Sequence, residues 1–211
     1  MPKLYKFLNL KDGKIVSNYD LNYVWKIGEW KKAEGEIKCC NNGFHASKDI
    51  LDALDFVKGG ILAEVEVKGE SDKEKDKQAW SEMRIIKAYE WTKQDSVALS
   101  IFSAELCIRN FEKSYPDDKR PREAIEGARK WLKEPTKENK SAARSAAWSA
   151  AWSAGSAAWS AAQSAQSVAE SAGSAARSVE SAAYKKYLHL TLKKINKWLL
   201  NHLKEMQPYG E

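Results

Sequence analysis

The chain has 211 residues, 43% of them hydrophobic and 30% charged, with a formal net charge of +6. This is enough apolar content for one large or two small cores, and no apolar run reaches the roughly 18 residues of a membrane span. The opening MPKLYKFLNLKDGK lacks a signal-peptide stretch, and three cysteines (Cys39, Cys40, Cys107) supply neither a disulfide framework nor a chelating set. A cytoplasmic protein is expected, with no metal, no cofactor and no membrane partner.

Residues 1–93 read as α+β. A strand at Lys3–Leu8 leads into Lys11-Asp12-Gly13-Lys14, a hairpin turn. Further strands are expected at Lys14–Ser17, Tyr23–Lys26, Trp30–Glu34 and Glu36–Cys40, followed by a turn at Asn41-Asn42-Gly43. A helix from Lys48 to Val57, capped by Ser47 or Asp49, ends at Gly59-Gly60. Ile61–Lys68 alternates as a half-buried strand, GESDKEKDK (69–77) reads as a charged loop, and Met83–Trp91 as another strand.

From Asp95 the period becomes helical. Ser96–Tyr115 carries an inner face, Pro116-Asp117-Asp118 ends it, and Pro121 opens a helix through Trp131 and Leu132. Residues 141–183 are almost entirely serine and alanine. Serine at 145, 149, 153, 156, 160, 164 and 167 makes an eleven-residue repeat, close to 3.67 residues per turn, and so a small-residue stripe on a helix. A straight helix from 138 to 206 would run about 100 Å, so breaks are expected near Gly155 and Gly173; one long helix serving as a dimer seam is the alternative. The last segment, 184–206, is a basic amphipathic helix with Leu188, Leu192, Ile195, Leu199 and Leu203 on one stripe. The expected fold is therefore α+β in two domains. A mixed α/β domain with an antiparallel sheet (1–93) precedes an all-α helical bundle (94–211) built on the Ser/Ala-rich repeat 141–183.

Within that frame the sequence offers no Walker loop, HExxH, CxxC or Ser-His-Asp signature. Trp148, Trp152 and Trp159, with Arg144 beside them, stud the small-residue surface; tryptophan is a frequent hot spot, and filling space inside the bundle is the structural alternative. Arg120 and Arg122 cluster at a helix N-terminus that favours anions, with Asp117 and Asp118 there to neutralise them. His45 and Ser47 stand at the turn into a helix, where a histidine can act in chemistry or simply close the turn. Arg84, with Glu82, can contact an anion or form an ion pair.

The residues Tyr115-Pro116-Asp117-Asp118, Arg120-Pro121-Arg122, Ala124-Ile125 and Trp131, followed by the Ala-rich run, resemble an all-helical immunity-protein family of bacterial and mobile-element genomes. The pattern Cys40-Asn41-Asn42-Gly43-Phe44-His45-Ala46-Ser47, then ILAEVEVKGE, then a lysine before Arg-Ile-Ile, is similar to an uncharacterised domain common in phage genomes. Its order of a Gly-aromatic-Ala-Ser segment, a helix and a strand ending in glycine also resembles ADP-ribosyltransferase-like folds. Those enzymes usually carry a histidine or arginine on the first strand, where this chain has Leu4-Tyr5-Lys6-Phe7.

These resemblances imply a non-catalytic binding protein of phage or mobile-element type that neutralises a bacterial immune or toxin component. It would mask a host protein or sequester a small nucleotide ligand. An ADP-ribosyltransferase-like enzyme is the alternative. A nucleic-acid binder acting through the basic last helix ranks below both, so nucleic acid is not the expected partner. The serine stripe also suits a homo-oligomer.

Overall fold

In a computed structural model that describes residues 3–56, 59–141 and 174–210, alternation and turn chemistry build a sheet. Leu4-Tyr5-Lys6-Phe7-Leu8 opens β1 (Leu4–Lys11), which passes through Asp12 and Gly13 into β2 (Lys14–Val16). Asp12 and Gly13 lie at φ 49° and 70°, the pair of positive φ values a two-residue hairpin of matching twist requires. Short strands β3 (Val24–Trp25), β4 (Lys31–Lys32) and β5 (Phe44–Ala46) follow, then α1 (Ile50–Phe56). The long strands β6 (Ile61–Lys73) and β7 (Gln78–Glu90) pair antiparallel from Ile61↔Glu90 to Lys73↔Gln78.

The sheet has seven strands in the order β3-β2-β1-β6-β7-β4, with β5 on β7 beside this path. All its ladders are antiparallel. Just beyond β5, Ser47 exchanges two backbone hydrogen bonds with Tyr5 on β1, of 2.8 and 2.9 Å. The path β1–β6–β7–β5 thus returns to β1, and the residues of β5 face those of β1 across a short gap. The core is the inner face of this arrangement: Leu4, Leu8, Ile61, Val65, Met83 and Ile85 are each almost wholly buried. Each such side chain contributes about 1.5–3 kcal/mol on leaving water.

The chain divides into two compact units, Met1–Thr92 with Asn196–Glu211, and Lys93–Ile195. In the first, the C-terminal segment is stitched to the sheet. Asn196 Oδ1 accepts the Leu51 N–H (3.2 Å) at the first turn of α1. Pro208 bridges to Tyr89, and the Tyr209 N–H donates to Ala88 O at 2.6 Å. Leu199 and Leu203, on α4 (Ser174–Glu205), are buried. His202 stacks on Trp198 and meets Trp91 edge-on. In the second unit α2 (Lys93–Ser114) and α3 (Arg120–Lys133) pair around Ile101, Ile108 and Ile125, and residues 137–141 are also helical.

This corrects the expected fold class. Among the described residues there is no all-helical bundle; the fold is mixed α/β, organised on one large antiparallel sheet. The physical reason lies in where the apolar surface is spent. The α2–α3 cluster has three buried isoleucines, whereas Leu199 and Leu203 of the basic last helix belong to the unit that holds the sheet. Residues 142–173 of the Ser/Ala repeat, with the serine stripe at 145–167 and the breaks expected at Gly155 and Gly173, lie outside the described residues, and 174–183 form the start of the last helix. Three strand expectations also change: the strand expected at Met83–Trp91 is β7, which begins five residues earlier, at Gln78. Lys38 and Asn42 close a turn where a strand over Glu36–Cys40 was expected, and β6 extends through Lys73 into the charged run.

Candidate functional site

Where β5 faces β1, the first unit holds a cavity of about 590 Å³. β1 supplies Tyr5, Lys6 and Phe7; β5 and the next residue supply Phe44, His45, Ala46 and Ser47. The β2–β3 segment adds Ser17, Tyr19, Asp20, Tyr23 and Trp25, and Cys40, Asn41, Gly43, Ala53 and Lys77 complete the lining.

One wall is aromatic. Trp25 meets Phe44 and Tyr23 edge-on, with ring centroids 5.2 and 5.7 Å apart, and Tyr23 tilts against Phe44 at 6.2 Å. Tyr19, 92% exposed, adds a ring in water. Trp25 is only 4% exposed, and its indole Nε1–H has no acceptor among the described residues. Buried donors without acceptors are costly and uncommon.

A cation stands on the opposite strand. Lys6 Nζ donates to the His45 carbonyl at 2.8 Å. No carboxylate pairs with it among the described residues, and burial pushes its ammonium down to about 8. His45 is held below its ordinary value by burial first and by the Lys6 charge second. Its Nε2 accepts the Cys40 N–H at 2.9 Å and the ring also bonds the Gly43 backbone, so the neutral imidazole closes the 40–45 turn. Gly43 permits that turn: it lies at φ 105°, and a Cβ there would come within 3.1 Å of Ile37 Cγ2 and 3.2 Å of Trp80 O.

At the exposed edge, Cys40 occupies the left-handed region at φ 63°, rare for a residue with a Cβ. Lys77 Nζ donates to its sulfur at 2.8 Å and lies 3.3 Å from Glu74 Oε2. The bond to Cys40, then that to Glu74, holds the Lys77 ammonium above the usual lysine value against its partial desolvation. Cys39 differs. It is buried, its N–H donates to Asp72 Oδ2 at 2.8 Å, and burial pushes its thiol up.

Of the residues singled out from sequence, His45 and Ser47 line this cavity. Arg84 does not. It pairs with Glu66 (2.7 Å) and lies over the Trp30 ring, 4.9 Å from its centroid. In the second unit Arg120 forks onto Asp118 at 2.8 and 2.7 Å, and Arg122 forks onto Glu112 at 2.6 and 2.8 Å, so local carboxylates neutralise both. Trp148, Trp152, Trp159 and Arg144 lie outside the described residues. Sequence reading missed Lys6, the Tyr19–Tyr23–Trp25–Phe44 wall and the Cys40–Lys77 pair. The available signal for Lys6 was one lysine inside the apolar strand Leu4-Tyr5-Lys6-Phe7-Leu8.

The site can hold a planar ring against aromatic side chains and place an anion at a half-buried ammonium. Residues 9–96 match a family model described as a Domain of unknown function (DUF7666). That span covers most of the cavity but neither Tyr5 nor Lys6 and Phe7 beside it. No curated protein and no solved structure matches the chain. No helix among the described residues is long and apolar enough to cross a membrane.

Proposed function

We propose that the protein is a non-catalytic binder of a small anionic ligand with a planar ring, of nucleotide type, held between β1 and β5. In the setting suggested by its resemblance to mobile-element proteins, it sequesters such a ligand and so blunts a bacterial immune or toxin component. The observation that carries this reading is the pairing, within one 590 Å³ cavity, of the Tyr23–Trp25–Phe44 wall with the uncompensated Lys6 ammonium. A nucleobase stacks on such rings for about 1–3 kcal/mol, and the phosphate supplies the counter-charge. The competing route, masking a host protein through Trp148, Trp152 and Trp159, rests on residues outside those described.

The test is native mass spectrometry of protein purified from bacteria, followed by calorimetric titration with a panel of mono-, di- and cyclic nucleotides. A bound nucleotide whose affinity falls about tenfold or more in both Phe44→Ala and Lys6→Met supports the reading. Folded protein that binds no member of the panel overturns it.

An ADP-ribosyltransferase-like enzyme is the second reading, favoured by one observation: Lys6 puts a cation on the first strand and in the cavity, the strand where those enzymes carry histidine or arginine. It requires NAD consumption that is lost in His45→Ala. Inactivity of the intact chain toward NAD removes it.

A further inference from the structure

Lys6 is placed to act as a nucleophile as well as a cation. It interrupts the otherwise apolar run Leu4-Tyr5-Lys6-Phe7-Leu8 on β1, lines the 590 Å³ cavity, and donates to the His45 carbonyl at 2.8 Å. That partner can only accept. It needs a single N–H, which ammonium and free amine both carry, so loss of a proton keeps the contact and exposes a lone pair. A carboxylate partner would instead hold the proton in place, and none pairs with Lys6 among the described residues. Burial lowers its ammonium to about 8, so about half of it is free amine at pH 8. Around it, the His45 ring is tied to the Cys40 N–H and to Gly43, Asp20 Oδ1 accepts the Asn22 N–H, and Lys77 is paired with Glu74. Phe44, the residue before His45, joins Tyr23 and Trp25 in the aromatic wall of the same cavity.

We propose that Lys6 is a covalent site that captures a small aryl aldehyde as an imine, with the ring received by the Tyr23–Trp25–Phe44 wall. The free amine nitrogen attacks the carbonyl carbon; a C–N bond forms and the C=O π pair moves to oxygen. Transfer of a proton from nitrogen to oxygen gives the carbinolamine. The hydroxyl then leaves as water with one further proton, and the nitrogen lone pair closes the C=N bond. The product is a protonated imine that keeps one N–H for the His45 carbonyl. In sum, the lysine ammonium and the aldehyde give the protonated imine and one water, with no change of oxidation state and no third reagent. Nucleotide binding uses the ammonium and imine formation the free amine, so neither requires the other.

The test incubates the full chain at pH 8 with benzaldehyde or, as the non-aromatic comparison, butanal, with cyanoborohydride present to fix any imine as a secondary amine. Peptide mass spectrometry assigns the labelled nitrogens over time. Benzaldehyde is expected to label Lys6 about tenfold or more faster than any other lysine, since less than about 1% of a lysine in water is free amine at that pH. The difference should vanish in protein unfolded by guanidinium. Phe44→Ala is expected to slow benzaldehyde at Lys6 about threefold or more and butanal by less, with Tyr23→Ala in its place should that variant not fold. Labelling spread evenly over the lysines, or confined to the α-amino group, which titrates at about 8 in any chain, overturns the proposal. So does a preference for benzaldehyde over butanal at Lys6 that is absent, or that a folded wall variant leaves unchanged. Because the readout is a covalent label, a failed nucleotide titration leaves this result standing, and a failed labelling leaves the nucleotide titration to be judged by itself.

Discussion

Lys6 is an amine in an apolar strand whose nearest polar partner is a neutral carbonyl, the His45 oxygen. Its charge therefore costs the fold and serves a ligand, and the two effects have opposite pH dependence. An ammonium depressed from 10.5 in water to about 8 when folded binds fewer protons in the native state between those values. The penalty is fully present below about pH 8 and is relieved as pH rises toward 10.5. Removing it in Lys6→Met should raise stability at pH 7 by up to about 3 kcal/mol and flatten the rise in stability between pH 8 and 10. Urea midpoints across that range, compared between the two proteins, measure it; equal slopes would refute the account. Anion affinity runs the other way. It is present while Lys6 is charged and declines as pH passes about 8, so a ligand titrated at pH 7 and pH 9 should bind about tenfold more weakly at the higher value. His45, already neutral and tied to Cys40 and Gly43, adds little to either profile.

At the scale of elements, turns set by a special φ carry the most consequence. Gly43 at φ 105° opens β5, and a side chain there has neither a favourable backbone nor room beside Ile37 and the Trp80 carbonyl. Gly43→Ala should cost about 1–3 kcal/mol. It should also free the Cys40 N–H from His45, read as faster amide exchange at Cys40 in nuclear magnetic resonance spectra. Unchanged exchange at that amide would show that the turn does not depend on Gly43. Such local chemistry was legible in the sequence: Asp12-Gly13 gave the hairpin, alternation over Ile61–Lys68 gave most of β6, and Pro121 the start of α3. What stayed hidden was non-local. A strand over Glu36–Cys40 looked plausible by composition, but Cys40 at positive φ and the Lys38–Asn42 closure end it. Lys6 is not marked as a site residue by the sequence, because nothing in it says that Ser47 returns to Tyr5 beside that strand. The stripe on the last helix holds at Ile195, Leu199 and Leu203, which are buried, but not at Leu192, which is exposed, and periodicity identifies a face and never its partner. It was therefore assigned to a bundle, when Leu199 and Leu203 lie in the unit of the sheet.

For the whole molecule, the consequence is a folding unit that is discontinuous in sequence. The family match ends at residue 96, yet the first compact unit takes its last piece from Asn196–Glu211. That piece supplies the Asn196 cap on α1, the Pro208 bridge to Tyr89 and the hydrogen bond from Tyr209 to Ala88 O. It also brings His202 onto Trp91, whose ring packs edge-on to Phe7 at 5.6 Å. A fragment of residues 1–92 therefore loses a cap worth about 1 kcal/mol and the cover on its last strand, in a domain whose total stability is on the order of 5–15 kcal/mol. Such a fragment should be markedly less stable than the intact chain, and a peptide spanning residues 189–211 added in trans should restore protection at Leu51 and Ala88. Leu199→Ala in the full chain should act in the same direction, by about 2–5 kcal/mol, since that side chain is 1% exposed. Hydrogen exchange on the three samples discriminates the outcomes. If the 1–92 fragment alone matches the full chain in protection, the C-terminal segment is an accessory, and the cavity between β1 and β5 stands without it. If the peptide rescues the fragment, whatever the cavity binds is coupled to both ends of the chain. Ligand affinity would then fall in Leu199→Ala even though Leu199 is not among the residues that line the cavity.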